Sequence, residues 1–418
     1  MKPFLLNAVL AGLLGSAVAA QAADVWQKVE VTPGQYPVKI GDTQKLVMPS
    51  CAFGQPYSFY VKPGKADKVL LYMNGGGACW NYQTCNIVPG QQASYVPSAD
   101  VANDPNQMAG LLDAEDPENP YKNWTMVFVS YCTGDVFLGS KDTVYQNPFN
   151  PDPTDAVAIK HRGFDNFLYV LDYFKRERKN KFSLLNAGGV DIDKILVAGS
   201  SAGSYGAALN YPWVQKMLGK DAKVSLLGDG GMGVITDGFL ASGVFGPSSG
   251  WNIDTNLHPI FKTLPAAPAT DFLPKVYRTL AAQYPKERFA QYTTAYDVVQ
   301  KLFLNIMEQS DGVPADQVSG FGSWSFRMNT IAAGLKTALP KNYRAYIDPG
   351  CNHTIFRFDE FYTSALNGIR FVDWAKAIVT NDAADWQNLS CTPGVDCGEQ
   401  NLTQAGVLTC LARSFGTP

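Results

Sequence analysis

Histidine is scarce: His161, His258 and His353 are the only three in a chain of 418 residues. No two are spaced H-x-x-x-H and no C-x-x-C occurs, so the usual sequence patterns of a zinc site are missing and neither a metal nor an organic cofactor is expected. Charged residues make up only 17% of the chain, the net charge is -3 and no run of like charge reaches five. That excludes the concentrated basic face needed to displace counterions from nucleic acid. Beyond the amino terminus no long apolar run occurs, so no membrane span is expected, and internal repeats and low-complexity linkers are absent.

At the amino terminus, Lys2 precedes an apolar, small-residue stretch from Phe4 to Ala20, and Ala20-Gln21-Ala22 before Ala23 has the form of a cleavage site. Residues 1–22 therefore read as a secretory signal peptide, too short and too interrupted by Gly12 and Gly15 to span a bilayer. The remainder, 23–418, is expected to be a single domain, secreted or periplasmic, with enough apolar residues to fill a sizeable core. All eight cysteines fall after the signal peptide, and an even number in an exported chain favours disulfides.

Short apolar runs bounded by turn residues, at 68–73, 125–131, 194–198, 224–227 and 343–347, read as buried parallel strands. Helical patterns lie at 164–174, 203–218, 295–307 and 326–339, so strands and helices alternate. The fold class is α/β, a mostly parallel sheet with helices on both faces. The segments 36–41 and 57–64 read as antiparallel additions at one edge. The stretch 232–289, rich in Pro, Gly and aromatic residues, does not read as sheet and is expected to form a lid or wall.

Ile195 to Ala198 is an apolar run that ends in Gly199-Ser200-Ser201-Ala202-Gly203 and leads into a helix-compatible stretch. This strand, G-x-S-x-G and helix layout is that of a nucleophile elbow, in which small neighbours let a sharp turn lift a serine hydroxyl above the sheet edge. Ser201 is the candidate nucleophile of an ester-cleaving enzyme. A second match, Gly246 to Gly250, has no strand feeding it and reads as a loop.

A serine at neutral pH needs a base, and the base needs a carboxylate to orient it. In elbow folds the chain order is serine, acid, histidine, which removes His161. His258 lies in the aromatic insertion, whereas His353 follows a late strand on a loop, so His353 is the candidate base. Asn74-Gly75-Gly76-Gly77, directly after the first core strand, suits an oxyanion hole, with Gly76, Gly77 and the N–H of Ala202 as donors. Asp229, Asp297 and Asp348 all suit the acid, Asp297 being equally explained as a helix cap.

Cys51 to Tyr57, Leu70 to Asn81, Asn119 to Trp124, Val129 to Asp135, Gly199 to Gly203 and His353-Thr354 together resemble the pectinacetylesterase/Notum family, in order along most of the chain. The resemblance implies an α/β-hydrolase fold and a secreted carboxylic ester hydrolase that needs no cofactor. Ser201, Asp297 and His353 would be its catalytic residues, with Gly76, Gly77 and Ala202 donating to the oxyanion. It further implies disulfides Cys79–Cys85 and Cys51–Cys132, while the pairing of Cys351, Cys391, Cys397 and Cys410 stays open. Gly77 and Ala78 stand where animal members carry bulky aromatics, so a tunnel tailored to lipid is not implied. The expected substrate is an acetyl or short acyl ester on polysaccharide such as acetylated pectin, with Trp80 and Trp251 available to stack on sugar rings. Polyester or general short-chain ester hydrolysis, acyl transfer, and carbohydrate binding without catalysis on the same fold are the alternatives.

Overall fold

Successive residues of the central strands bury on opposite faces: Val69, Leu71 and Met73 join one apolar cluster, Leu70 and Tyr72 the other. A strand buried on both sides has no use for polar residues, which is why these segments read as unbroken apolar runs. The computed structural model describes residues 26–415 except 90, 92, 151, 247, 248 and 381. The expected signal peptide and Ser248 of the second G-x-S-x-G match lie outside the described residues.

The main sheet has nine strands: β1 (Gln27–Val31), β2 (Tyr57–Lys62), β3 (Lys65–Met73), β4 (Trp124–Val129), β5 (Lys194–Ser200), β6 (Lys223–Asp229), β7 (Phe289–Thr294), β8 (Tyr343–Asp348) and β9 (Leu389–Ser390). Their spatial order is β1-β2-β4-β3-β5-β6-β7-β8-β9. From β4 to β9 all pairings are parallel, while β1 and β2 add antiparallel strands at one edge. The α/β expectation is thus met, with two corrections. Tyr36–Ile40 does not join this sheet but forms a separate hairpin with Thr43–Val47. Phe289–Thr294, which falls between the insertion at 232–289 and the helical pattern at 295–307 and is not among the expected strands, is a fully buried parallel strand.

The longer helices among the described residues are α1 (Gly163–Glu177), α2 (Ala202–Met217), α3 (Ala269–Gln283), α4 (Val298–Ser310), α5 (Phe321–Ala338), α6 (Phe371–Thr380) and α7 (Gln404–Phe415). In α1, Phe164, Phe167, Leu168, Leu171 and Phe174 are buried at helical spacing. Each such side chain contributes roughly 1.5–3 kcal/mol, far more than helix propensity alone. Four disulfides join Cys51–Cys132, Cys79–Cys85, Cys351–Cys410 and Cys391–Cys397. The first two are those the family resemblance implied, and the others settle the open pairing. Among the described residues no helix is long and apolar enough to cross a membrane.

Candidate active site

At the carboxyl end of β5 the chain turns through Ser201, whose φ of 55° and ψ of -121° are strained for a residue with a side chain. The glycines around it answer a steric demand: a Cβ on Gly199 would lie 2.1 Å from the Gly203 carbonyl oxygen, and one on Gly203 would lie 2.0 Å from that of Met73. The turn leads straight into α2, so the Ala202 amide stands at the helix N-terminus. The amide of Ser201 donates to the Asp229 carbonyl at 2.7 Å, which ties the turn to β6.

Asn74 to Gly77 follows β3 beside this turn. Gly77 has φ of 72°, and a Cβ there would lie 1.9 Å from the Ser94 carbonyl oxygen, so the glycine is needed for the loop to close on its neighbour. The loop is anchored by its carbonyls: Val96 N–H donates to Gly76 and the Tyr131 hydroxyl to Gly77. The amides of Gly76, Gly77 and Ala202 have no acceptor among the described residues.

His353 lies on the loop after β8. Its Nδ1 donates to the Asp297 carboxylate, 2.9 and 2.8 Å from the two oxygens, and both groups are buried. Asp297 also caps α4 by accepting from the amides of Val299 and Gln300, so the cap and the histidine partner are one residue. Asp229 and Asp348 make no hydrogen bond to the imidazole. Asp348 accepts instead from the hydroxyls of Tyr292 and Ser364. The Nε2 atom of His353 is buried without a partner among the described residues, and His353 and Ser201 line the same cavity.

Gln300 went unnoticed in the sequence. Its Nε2 donates to the second Asp297 oxygen at 2.8 Å and its Oε1 accepts from the Met232 amide at 2.7 Å. The D-x-x-Q spacing, a capping-box pattern at a helix start, was the available signal.

The other two histidines are occupied elsewhere. His161 donates from Nδ1 to the Thr133 carbonyl and accepts at Nε2 from the Tyr145 hydroxyl, with burial holding its pKa down at about 4. It approaches Cys79 and Cys85 closely enough to share an ion, but those sulfurs are joined in a disulfide. His258 caps a short turn and packs its ring edge-on to Trp213.

The cavity in front of Ser201 and His353 has a volume of about 780 Å³ including its open mouth. Trp80, Phe239, Leu240, Val244, Trp251 and Phe272 line it together with Val299, Phe303 and Met307 of α4. From the segment 232–289, Val234, Ile235, Phe239, Leu240, Val244, Trp251 and Phe272 line the cavity, and Phe239–Val244 is a π-helical turn. Trp251 does not serve as an open stacking surface: it is fully buried and its indole N–H donates to the Cys79 carbonyl at 2.9 Å. Trp80 is buried too, edge-on to Phe239. Although small residues stand at 77 and 78, the cavity is strongly apolar, because its walls come from the insertion and α4.

Over much of its length the chain is similar to known proteins. It is 28% identical to human palmitoleoyl-protein carboxylesterase NOTUM over 173 residues, 41% of this chain and 31% of that protein. With the Drosophila melanogaster protein of the same name it is 21% identical over 179 residues, 42% of this chain and 24% of that one. The chain thus spans about a third or less of the length of these curated relatives. In three dimensions it is similar to the structure of the Wnt deacylase Notum from Drosophila, with a TM-score of 0.52 and 16% identity, covering 86% of this chain and 95% of that one. This likeness shows the fold, that of the α/β-hydrolases. The pectinacetylesterase family profile matches residues 37–300, more than half of the 418, and the chain belongs to that family.

Proposed function

We propose that this protein is a serine carboxylesterase in which Ser201 attacks the ester carbonyl, His353 takes and returns the proton, and Asp297 orients the imidazole. The observation that carries this reading is His353 itself, with Nδ1 held by Asp297 and a buried, unpartnered Nε2 in the cavity that Ser201 lines. Nδ1–H donation fixes the tautomer that leaves Nε2 free to accept the seryl proton. The amides of Gly76, Gly77 and Ala202 stabilise the oxyanion, and water hydrolyses the acyl-enzyme. One exported α/β unit carries the reaction; four disulfides suit an oxidising compartment.

The family's name supports acetyl esters on polysaccharide, such as acetylated pectin, as substrate. A second reading, favoured by the apolar cavity and by the palmitoleoyl group in the relatives' names, is an ester with an acyl chain longer than acetyl. The test is hydrolysis of p-nitrophenyl esters from acetate to palmitate by wild type and Ser201→Ala, with acetate release from acetylated pectin and xylan. Ser201→Ala is expected to lose about 10⁴-fold or more in kcat. Equal activity in the two proteins would overturn the serine mechanism. A maximum at acetate with release from polysaccharide supports the first substrate; a maximum at longer chains without release supports the second.

A further inference from the structure

Asp229, buried at the end of β6, spans the two halves of the candidate site without touching the imidazole. Its carbonyl accepts from Ser201 N–H at 2.7 Å. Its carboxylate accepts from the Ser200 hydroxyl at 2.7 Å and from the amides of Ile355 and Phe356 at 3.1 Å. The Tyr72 hydroxyl donates in turn to Ser200 Oγ at 2.9 Å. One residue thus holds the serine turn by its backbone and the histidine loop by its side chain.

The loop needs such a hold. Thr354, between His353 and the gripped amides, has φ of 63°, a left-handed conformation that a β-branched residue keeps only when its surroundings impose it. A buried carboxylate is a costly way to bind two amides and a hydroxyl. Desolvation raises the Asp229 pKa to about 6, against the hydrogen bonds from Ser200, Phe356 and Ile355 and the charge of His353, which favour its ionised form.

We propose that Asp229 is a positioning residue for the reaction, bridging the serine turn and the histidine loop so that Ser201 Oγ meets His353 Nε2. The inference rests on the Ser201–His353–Asp297 reading. The titratable and charged groups around the carboxylate are Tyr72 on β3, Tyr292 on β7 and His353, with Arg357 acting on Tyr72, Asp297 behind His353, and Asp348 and Arg413 beyond Tyr292.

The experiment compares full-length wild type, Asp229→Asn and Ser200→Ala on a p-nitrophenyl ester, measuring kcat and KM separately together with the unfolding midpoint. Asp229→Asn is expected to lose about 10²-fold in kcat, the cost of a misplaced reacting group, with KM unchanged. Ser200→Ala should show a smaller loss of kcat, again with KM unchanged. An unchanged kcat in Asp229→Asn overturns the proposal. So does a loss that merely follows a collapsed unfolding midpoint while Ser200→Ala behaves as wild type, since that describes structural support alone. Ser201→Ala and His353→Ala separate the two levels: if they retain activity, the underlying reading fails and the inference with it. If they abolish activity while Asp229→Asn does not, the inference alone fails.

Discussion

The turn that carries Ser201 is held by close sterics between β5, α2 and β3, whereas the loop that carries His353 is held by residues scattered over the chain. Around Ser201, Gly199 and Gly203 admit main-chain contacts that any side chain would block. Around His353 the partners are Asp297 at the start of α4, Asp229 at the end of β6, and the carboxyl-terminal helix α7. From α7, Ser414 Oγ accepts from His353 N–H at 3.3 Å, Arg413 donates to the carbonyls of His353 and Thr354, and Cys410 is joined to Cys351. A turn held by main-chain contacts with its neighbouring strands is robust to side-chain change elsewhere. A loop made by distant contacts is sensitive to each of them.

Three variants break this comparison at different strengths, with a fourth, Asp348→Asn, as a control. Asp297→Asn should cost most on the histidine side, about 10⁴-fold in kcat, because the amide no longer selects the Nδ1–H tautomer. Steady-state kinetics with circular dichroism to confirm the fold checks this, and Asp348→Asn, whose carboxylate faces Tyr292 and Ser364, should keep most of the activity. Comparable losses in both would put the acid elsewhere. On the serine side, Gly203→Ala should destabilise the whole protein by about 4 kcal/mol, as expected where a new Cβ meets immovable backbone. Urea unfolding measures it, and a wild-type midpoint would show that the elbow is looser than its sterics suggest. The smallest effect is expected from Cys351→Ala with Cys410→Ala, about 2–4 kcal/mol, since the bond closes a long loop. Activity should then fall on heating before the sheet unfolds, because the freed segment is the one beside His353. Simultaneous loss of activity and sheet structure would mean that α7 and the sheet melt as one unit.

The same contrast governs what can be read without coordinates. The elbow and the glycine loop are contiguous patterns, each directly after an apolar strand, so Ser201, Gly76, Gly77 and Ala202 stand out from pattern and context together. The parallel sheet is also legible, because burial on both faces demands unbroken apolar runs. Phe289–Thr294 escaped because its Gln291, Thr293 and Thr294 make it look polar. In the folded chain these side chains bond to other buried groups, Gln291 to the Gly231 carbonyl and Thr294 to that of Asn352. Spacing could not choose among Asp229, Asp297 and Asp348, since all three end or follow strands at the same edge of the sheet. Nor could it show the apolar cavity, whose walls join residues near 80, 240 and 300.

The sequence by itself determined the alternation of strands and helices, the serine turn and the small residues around it, because each is a contiguous pattern within a few positions. Only the tertiary structure decided which aspartate faces His353, how the last four cysteines pair and what fills the space before Ser201. Those outcomes depend on which strand ends become neighbours in the sheet and on what the insertion folds against, and neither is written in local spacing.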